Sequence, residues 1–229
     1  MTYIEVIQML SEKANSERAK DLAKHHKVLR PYYGVSNAEL NEVSAELRAL
    51  NSDDYGVDLA AKLWTTNVFE ARMLAAKLVT RAIIRPDTAA WDLITSWLSD
   101  LDCEAIADQV CKAGQKRVSM DPTRLNEIEA WTTSDHVWTQ RAALMMTLPW
   151  TKQNNPKPAE IEARERILGW AAIYASDPLW LIQKSVGVWL FELSKHDAPR
   201  AHTFLEEHGD AMRPSVRKEA ARNLPSVDA

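Results

Sequence analysis

Hydrophobic residues recur along the chain at the spacing of amphipathic helices, and the strict alternation of a β-strand is nearly absent. One apolar series with three- and four-residue steps is Leu40, Val43, Leu47 and Leu50. Such residues lie on one face of a helix. Ser36 and Glu39, three residues apart just before that series, have the pattern of a capping box. Asn67 and Glu70 form a second, weaker pattern of this kind, so both sites predict helix starts.

Proline residues mark the boundaries between the predicted helices. Asp121-Pro122 and Asp177-Pro178 each place a proline at the first helical position after an acidic cap. The chain contains roughly thirteen such helices of about 10–18 residues, joined by short loops. This organisation predicts an all-α fold, a curved α-solenoid of stacked antiparallel helix pairs that forms one domain over residues 1–229. A compact helical bundle would give much the same pattern.

Composition excludes several classes of protein. Only 6 glycines occur in 229 residues, and no glycine-rich phosphate loop is present. Cys103 and Cys111 are too far apart along one predicted helix to form a disulfide, which favours reduced thiols and a cytoplasmic location. His202 and His208 do not have the spacing of a metal site on a helix. We therefore expect no metal, no cofactor and no membrane span.

Charge gives a mixed indication. The formal net charge is −4, which argues mildly against nucleic-acid binding. A basic groove can nevertheless lie on an acidic body, because the local field matters more than the sum. The basic residues that we single out are Lys112, Lys184, Arg217 and Lys218. They are either solvated helix ends or contacts to DNA phosphates.

Six segments spread along the chain carry a family pattern. They are Tyr32-Tyr33-Gly34-Val35, Leu63-Trp64, Glu70-Ala71-Arg72, Trp131 to Ala143, Ile182 to Trp189, and Ser215 to Ala220. The segment from Trp131 is the most specific. In this order and spacing, and over most of the chain, they resemble the AlkD-type DNA alkylation repair proteins, whose fold is built from HEAT-like or ARM-type repeats.

The resemblance implies a function as well as a fold. Proteins of this family wrap duplex DNA in a concave, basic groove. Their active members are monofunctional DNA glycosylases that remove positively charged N3- and N7-alkylpurines without a base-flipping pocket. The resemblance therefore implies a protein that binds double-stranded DNA, and we expect a monomer.

Two residues match the catalytic positions of the family. The carboxylate corresponds to Asp108, which would stabilise an oxocarbenium ion or steer the attacking water. The arginine corresponds to Arg141, which would hold a phosphate or pair with Asp108. The residue pattern alone leaves the structural interpretations open: a solvated helix carboxylate at Asp108 and a semi-buried, paired arginine at Arg141.

The chain departs from the family at the two aromatic positions expected to pack on the sugar. Glu104 replaces one of them, and Val188 the other, with Trp189 one residue later. Trp189 is the remaining aromatic candidate for DNA contact, although one residue along a helix rotates the side chain by about 100°. The alternative hypothesis is a catalytically weak or inactive helical-repeat module that binds unusual DNA structures or a protein partner.

Overall fold

The computed structural model describes residues 1–50 and 53–224, with the side chains of residues 53–55 outside that description. Across the described ranges the chain forms thirteen α-helices and no strand, which confirms the all-α prediction. The chain divides into two compact units, Met1–Met120 and the part from Asp121 onward. The expectation that residues 1–229 form a single domain remains a prediction. Residues 51–52 and 225–229 lie outside the part of the chain that the structure describes.

The N-terminal unit contains seven helices among its described residues. They are α1 (Tyr3–Glu12), α2 (Ser16–His26), α3 (Asn37–Leu50), α4 (Asp53–Thr65), α5 (Phe69–Leu78), α6 (Asp87–Ser96) and α7 (Glu104–Met120). Helix α5 lies at the centre, because α3, α4 and α7 all pack against it. Its residues are accordingly buried along nearly its whole length. Leu63, Leu74 and Ile106 contribute fully buried side chains to this core.

The C-terminal unit contains the other six helices. They are α8 (Leu125–Trp131), α9 (Val137–Met145), α10 (Pro158–Tyr174), α11 (Trp180–Ser194), α12 (Ala198–His208) and α13 (Pro214–Ala221). Helix α11 is central here and packs against α9, α10, α12 and α13. Gly187 allows α13 to come close, since a Cβ atom there would lie 2.9 Å from Cγ1 of Val216. No described helix is long and apolar enough to cross a membrane.

The predicted helix starts are confirmed where the capping contacts are local. The Glu39 amide donates to Ser36 Oγ at 3.2 Å, and the Ser36 amide donates to the Glu39 carboxylate at 2.8 Å, which completes the capping box of α3. Asp121 accepts from the Thr123 amide at 3.1 Å and opens a short 3₁₀ turn before α8. After Asp177-Pro178, α11 begins later than predicted, at Trp180.

The second predicted capping box is wrong. Helix α5 begins at Phe69, and the residue before it makes no side-chain cap. The Glu70 carboxylate is buried and accepts from the backbone amides of Tyr33 at 2.9 Å and Gly34 at 2.6 Å. Gly34 has a φ of 76°, a left-handed conformation that glycine adopts without strain. The Glu70 carboxylate therefore binds the loop before α3 and does not cap its own helix.

Candidate functional site

A polar cavity of about 620 Å³ lies between α3, α5 and α7 of the N-terminal unit. Each helix buries an apolar stripe in the core, and the residues that it presents to the cavity follow the spacing of one helix face. The lining residues are Asn37, Asn41, Ser44 and Arg48 on α3, Met73 and Lys77 on α5, Thr80 just after α5, and Ala105, Asp108, Gln109 and Lys112 on α7. The cavity is thus built from one stripe of each helix.

Two residues predicted from the sequence line this cavity. Asp108 and Lys112 are four residues apart on α7 and therefore share a face of the helix. Asp108 is half-buried and Lys112 is exposed. The structure brings these two predicted residues together in one cavity, while the catalytic role of Asp108 and the DNA contact of Lys112 remain predictions.

Two further cations of the cavity were missed by the sequence analysis. Lys77 is buried, and its Nζ donates to Asn41 Oδ1 at 2.7 Å. Burial, followed by the positive charges of Lys112 and Arg48, lowers the pKa of the Lys77 ammonium group. Arg48 donates to the backbone carbonyl of Lys77, and burial followed by the charge of Arg81 lowers the Arg48 pKa. The polar stripe on α3 was an available signal for Arg48, whereas α5 also carries Glu70 and Arg72, so that Lys77 did not stand out.

The predicted residues of the C-terminal unit differ in exposure. Arg141 on α9 is only 1% exposed. So little surface favours a role in pairing or positioning over a direct contact with a DNA phosphate. Asp108 belongs to the N-terminal unit and Arg141 to the C-terminal unit, and their expected approach stays a prediction.

Trp189 does not offer a surface to DNA in this structure. Its side chain is 0% exposed, and its indole nitrogen donates to Thr147 Oγ1 at 3.2 Å. We therefore correct the assignment of Trp189 as a DNA contact, because the ring belongs to the core around α11. Val188, one residue earlier, is only half-buried, and Glu104 is half-buried at the first position of α7. Neither position supplies an aromatic face.

The predicted basic residues on α11 and α13 lie near or on exposed surface. Lys184 lines a small cavity of about 250 Å³ between the two helices, and its Nζ lies 5.0 Å from the centre of the Trp180 ring. Arg217 pairs with Asp210 at 2.7 Å, and Lys218 is exposed. Trp180 is 49% exposed. Its large exposed ring beside a lysine was missed by the sequence analysis, although its place at the helix start was a usable signal.

The described residues include no group of three or more His, Cys, Asp and Glu side chains that could hold a metal ion. Both cysteines are buried and form no disulfide. Burial raises the pKa of the Cys103 thiol, which favours its neutral form. Both cysteine side chains therefore belong to the packed interior of the protein.

Comparison with known proteins identifies related chains. A family model described as "DNA alkylation repair enzyme" matches residues 6–224. No curated protein matches the chain significantly. Among solved structures, a predicted DNA alkylation repair enzyme from Enterococcus faecalis is similar with a TM-score of 0.75 and 16% identity, over 94% of this chain and 98% of that one.

Two structures from Streptococcus mutans are also similar. AlkD2 has a TM-score of 0.61 and 19% identity, over 93% of this chain and 99% of its own. The protein smu.31 has a TM-score of 0.60 and 20% identity, over 90% of this chain and 98% of its own. At these identities the similarity shows a shared fold, while the family model covers nearly the whole chain.

Proposed function

Because the chain belongs to the DNA alkylation repair enzyme family, we propose that it is a monofunctional DNA glycosylase. In this proposal it removes cationic N3- or N7-alkylpurines from double-stranded DNA without flipping the base. The observation that carries the proposal is the position of Asp108, a half-buried carboxylate in a cavity lined mostly by cations and polar groups. We further propose that it acts as a cytoplasmic monomer.

The chemistry of a cationic alkylpurine suits this arrangement. The bond between C1′ of the deoxyribose and the purine nitrogen breaks, and its electron pair leaves with the base, which becomes neutral. Positive charge develops on the sugar as an oxocarbenium ion. A fixed carboxylate stabilises that charge, and such preorganised electrostatic stabilisation is often the largest catalytic contribution. Little acid catalysis is required, because the leaving group already carries the positive charge.

Asp108 would supply the anion and would accept a proton from the attacking water as it adds to C1′. The product is an abasic sugar and a free neutral base. Arg141, buried on α9, would act as a positioning residue for the carboxylate. Lys112, Lys184, Arg217 and Lys218 would contact phosphates and hold the duplex. No metal or cofactor is required by this sequence of steps.

The test is release of 3-methyladenine and 7-methylguanine from methylated duplex DNA by the purified protein, followed by chromatography of the free bases. We expect the single-turnover rate of base release to be well above the rate of spontaneous depurination. Absence of release, under conditions in which the protein binds the same duplex, would contradict the proposal.

A second function is favoured by one observation. The positions expected to carry sugar-packing aromatics hold Glu104 and Val188, and Trp189 is in the core. A protein without those aromatic faces fits a DNA-binding module of low or absent activity, or one that binds a protein partner. Binding of duplex DNA without base release would support the first of these, and absence of DNA binding at about 50 mM salt, where phosphate contacts are strongest, would support the second.

A further inference from the structure

The cavity between α3, α5 and α7 holds more positive than negative charge. Its titratable lining residues are Arg48, Lys77, Lys112 and Asp108. None of the three cations forms an ion pair with any side chain that the structure describes. The two charges that act on Lys77, those of Lys112 and Arg48, are both positive. Three cations are thus held near one another with no internal anion paired to them.

Several polar groups at this cavity also have unused hydrogen-bonding capacity. The Ser44 side chain is 3% exposed and lines the cavity, and its hydroxyl oxygen has no hydrogen-bond partner among the described residues. The Nε atom of Arg48 is likewise buried and makes no hydrogen bond to any residue that the structure describes. The Lys77 ammonium group carries three donors, of which Asn41 accepts one. Buried donors of this kind are costly unless a ligand or water meets them.

We propose that this cavity is a binding site for a phosphomonoester, the terminal phosphate of a nucleotide that is either free or at the end of a DNA strand. Arg48, Lys77 and Lys112 contact the phosphate oxygens, and Ser44 donates a further hydrogen bond. The amide side chain of Asn37, which is exposed and lines the cavity, remains available to the nucleoside. This binding goes beyond base excision and does not depend on it.

Charge and size both favour this ligand. A phosphomonoester carries about −1.5 to −2 charges at pH 7 and three acceptor oxygens, whereas each phosphodiester within a strand carries one charge. Three cations against the single carboxylate Asp108 match the more highly charged group. A volume of about 620 Å³ lies in the range of small-molecule sites and accommodates a nucleotide.

A purely structural role explains the cavity less well. The bond from Lys77 to the neutral Asn41 amide satisfies one donor but does not offset the charge. Lys77 is itself buried on α5, whose last two turns also bury Leu74 and Leu78. A buried cation beside two others destabilises the fold unless an anion is present.

The experiment measures binding of three probes to the whole protein by isothermal titration calorimetry: dAMP, deoxyadenosine and inorganic phosphate. We expect dAMP to bind at least about tenfold more tightly than deoxyadenosine, since one charge-assisted contact is worth about that factor. Inorganic phosphate should compete with dAMP. Lys77→Met and Lys112→Gln should each weaken dAMP about tenfold or more.

Lys62→Gln is the matched control. Lys62 is an exposed lysine of α4 in the same unit, and it does not line the cavity. The control removes the same charge and should leave dAMP binding unchanged. Lys112 is exposed, so its variant keeps the test decisive if Lys77→Met fails to fold.

Three DNA probes distinguish the sources of the phosphate: a hairpin with a 5′-phosphate, the same hairpin with a 5′-hydroxyl, and a closed dumbbell without ends. If the phosphorylated hairpin binds more tightly and loses that advantage in Lys77→Met, the ligand is a strand end. If the two hairpins bind equally while dAMP binding depends on Lys77, the ligand is a free nucleotide.

Two results would overturn the proposal. One is equal affinity for dAMP and deoxyadenosine, or dAMP binding that neither cavity variant weakens. The other is a dumbbell that binds as tightly as the phosphorylated hairpin and is weakened equally by Lys77→Met, which would assign the cavity to a phosphodiester. None of these probes contains an alkylated base. Failure of phosphomonoester binding can therefore be distinguished from failure of base excision.

Discussion

The basic residues on α10 and α12 of the C-terminal unit have surroundings that differ from those of the cations lining the cavity of the N-terminal unit. In the C-terminal unit, Arg164 is 2% exposed and pairs with Asp197 at 2.8 Å, while it also donates to the Trp150 carbonyl at 3.0 Å. Arg200 forms a bidentate pair with Glu165, with both nitrogen–oxygen distances at 2.8 Å. Both guanidinium groups thus form ion pairs with carboxylates, Arg164 with the residue that precedes α12 and Arg200 with a residue of α10.

The cations that line the cavity of the N-terminal unit differ from these arginines. Arg48, Lys77 and Lys112 have no carboxylate partner among the side chains that the structure describes. The same unit does pair other buried arginines, such as Arg30 with Asp102 and Arg117 with Asp87. These buried arginines are thus paired, whereas at the cavity the buried Lys77 and the half-buried Arg48 have no ion pair among the described side chains. We interpret this as charge that is kept for a ligand.

The largest effect that we expect concerns Asp108, the carboxylate of the cavity. Asp108→Asn should lower the rate of base excision by a hundredfold or more while leaving the fold nearly intact, because removal of one such transition-state interaction costs about 2.7–4 kcal/mol. Single-turnover release of 7-methylguanine measures it. Asp92→Asn, at an exposed aspartate on α6, is the control and should excise at the wild-type rate.

A different result for Asp108→Asn would change the interpretation of the cavity. If the variant unfolds at lower denaturant concentration and excision per folded molecule is unchanged, the carboxylate is structural.

The second effect tests the paired arginines. Arg164→Met should lower the free energy of unfolding by about 3 kcal/mol, because it leaves Asp197 without its cation and the Trp150 carbonyl without its donor. Urea unfolding followed by circular dichroism measures it. Arg166→Met removes a more exposed arginine, which pairs with Glu129 at 2.6 Å, and should cost under about 1 kcal/mol. Equal losses would show that burial does not decide the strength of these pairs.

The third effect has the opposite sign. Lys77→Met should raise the free energy of unfolding by about 1 kcal/mol, because it removes a buried, unpaired charge and keeps an apolar stem. The folded pKa of Lys77 is lowered from 10.5, so in the window between that lowered pKa and 10.5 the unfolded chain binds more protons. Wild-type stability therefore rises with pH in this window, and the advantage of the variant should shrink as the pH approaches 10.5. A variant less stable than wild type at pH 7 would contradict this account.

The smallest effect compares two neighbouring cations on α13. Lys218 is exposed and has no ion pair among the residues described, whereas Arg217 is paired with Asp210. Lys218→Gln should reduce the slope of log affinity against log salt for duplex DNA by about 0.9, the value for one phosphate contact. Arg217→Gln should reduce it by less, because Asp210 already neutralises part of its charge. Fluorescence anisotropy across a salt series measures both, and identical slopes for the two variants would argue against the comparison.

Local signals in the sequence predicted the helical class and the cap of α3, but not the start of α5 or the cavity. The capping box of Ser36 and Glu39 depends on contacts three residues apart, and it was predicted correctly. Glu70 appeared to belong to a similar box, yet its carboxylate binds a loop 36 and 37 residues earlier in the chain. A pattern within one helix does not include such distant donors.

The candidate site follows the same division. Asp108 was identified because its position matches a family pattern, and Lys112 because it is one of several basic residues that could contact phosphates. Their shared face follows from the period of a helix. Arg48 and Lys77 were missed because their proximity depends on which faces of α3 and α5 meet. Trp189 was misassigned because the rotation of α11 about its axis is set by its packing against neighbouring helices, which one helix alone does not specify.

The contact between Glu70 and the loop before α3 has a consequence for the time scale of local opening. The amides of Tyr33 and Gly34 lie outside any helix, yet both donate to a carboxylate that is completely buried. Exchange of these two amide protons with deuterium requires the loop to separate from α5, because the acceptor itself cannot reach solvent. The amide protons of Tyr33 and Gly34 should therefore exchange at rates typical of the helical core. The slowly exchanging region should then extend beyond the helices into a loop without regular secondary structure.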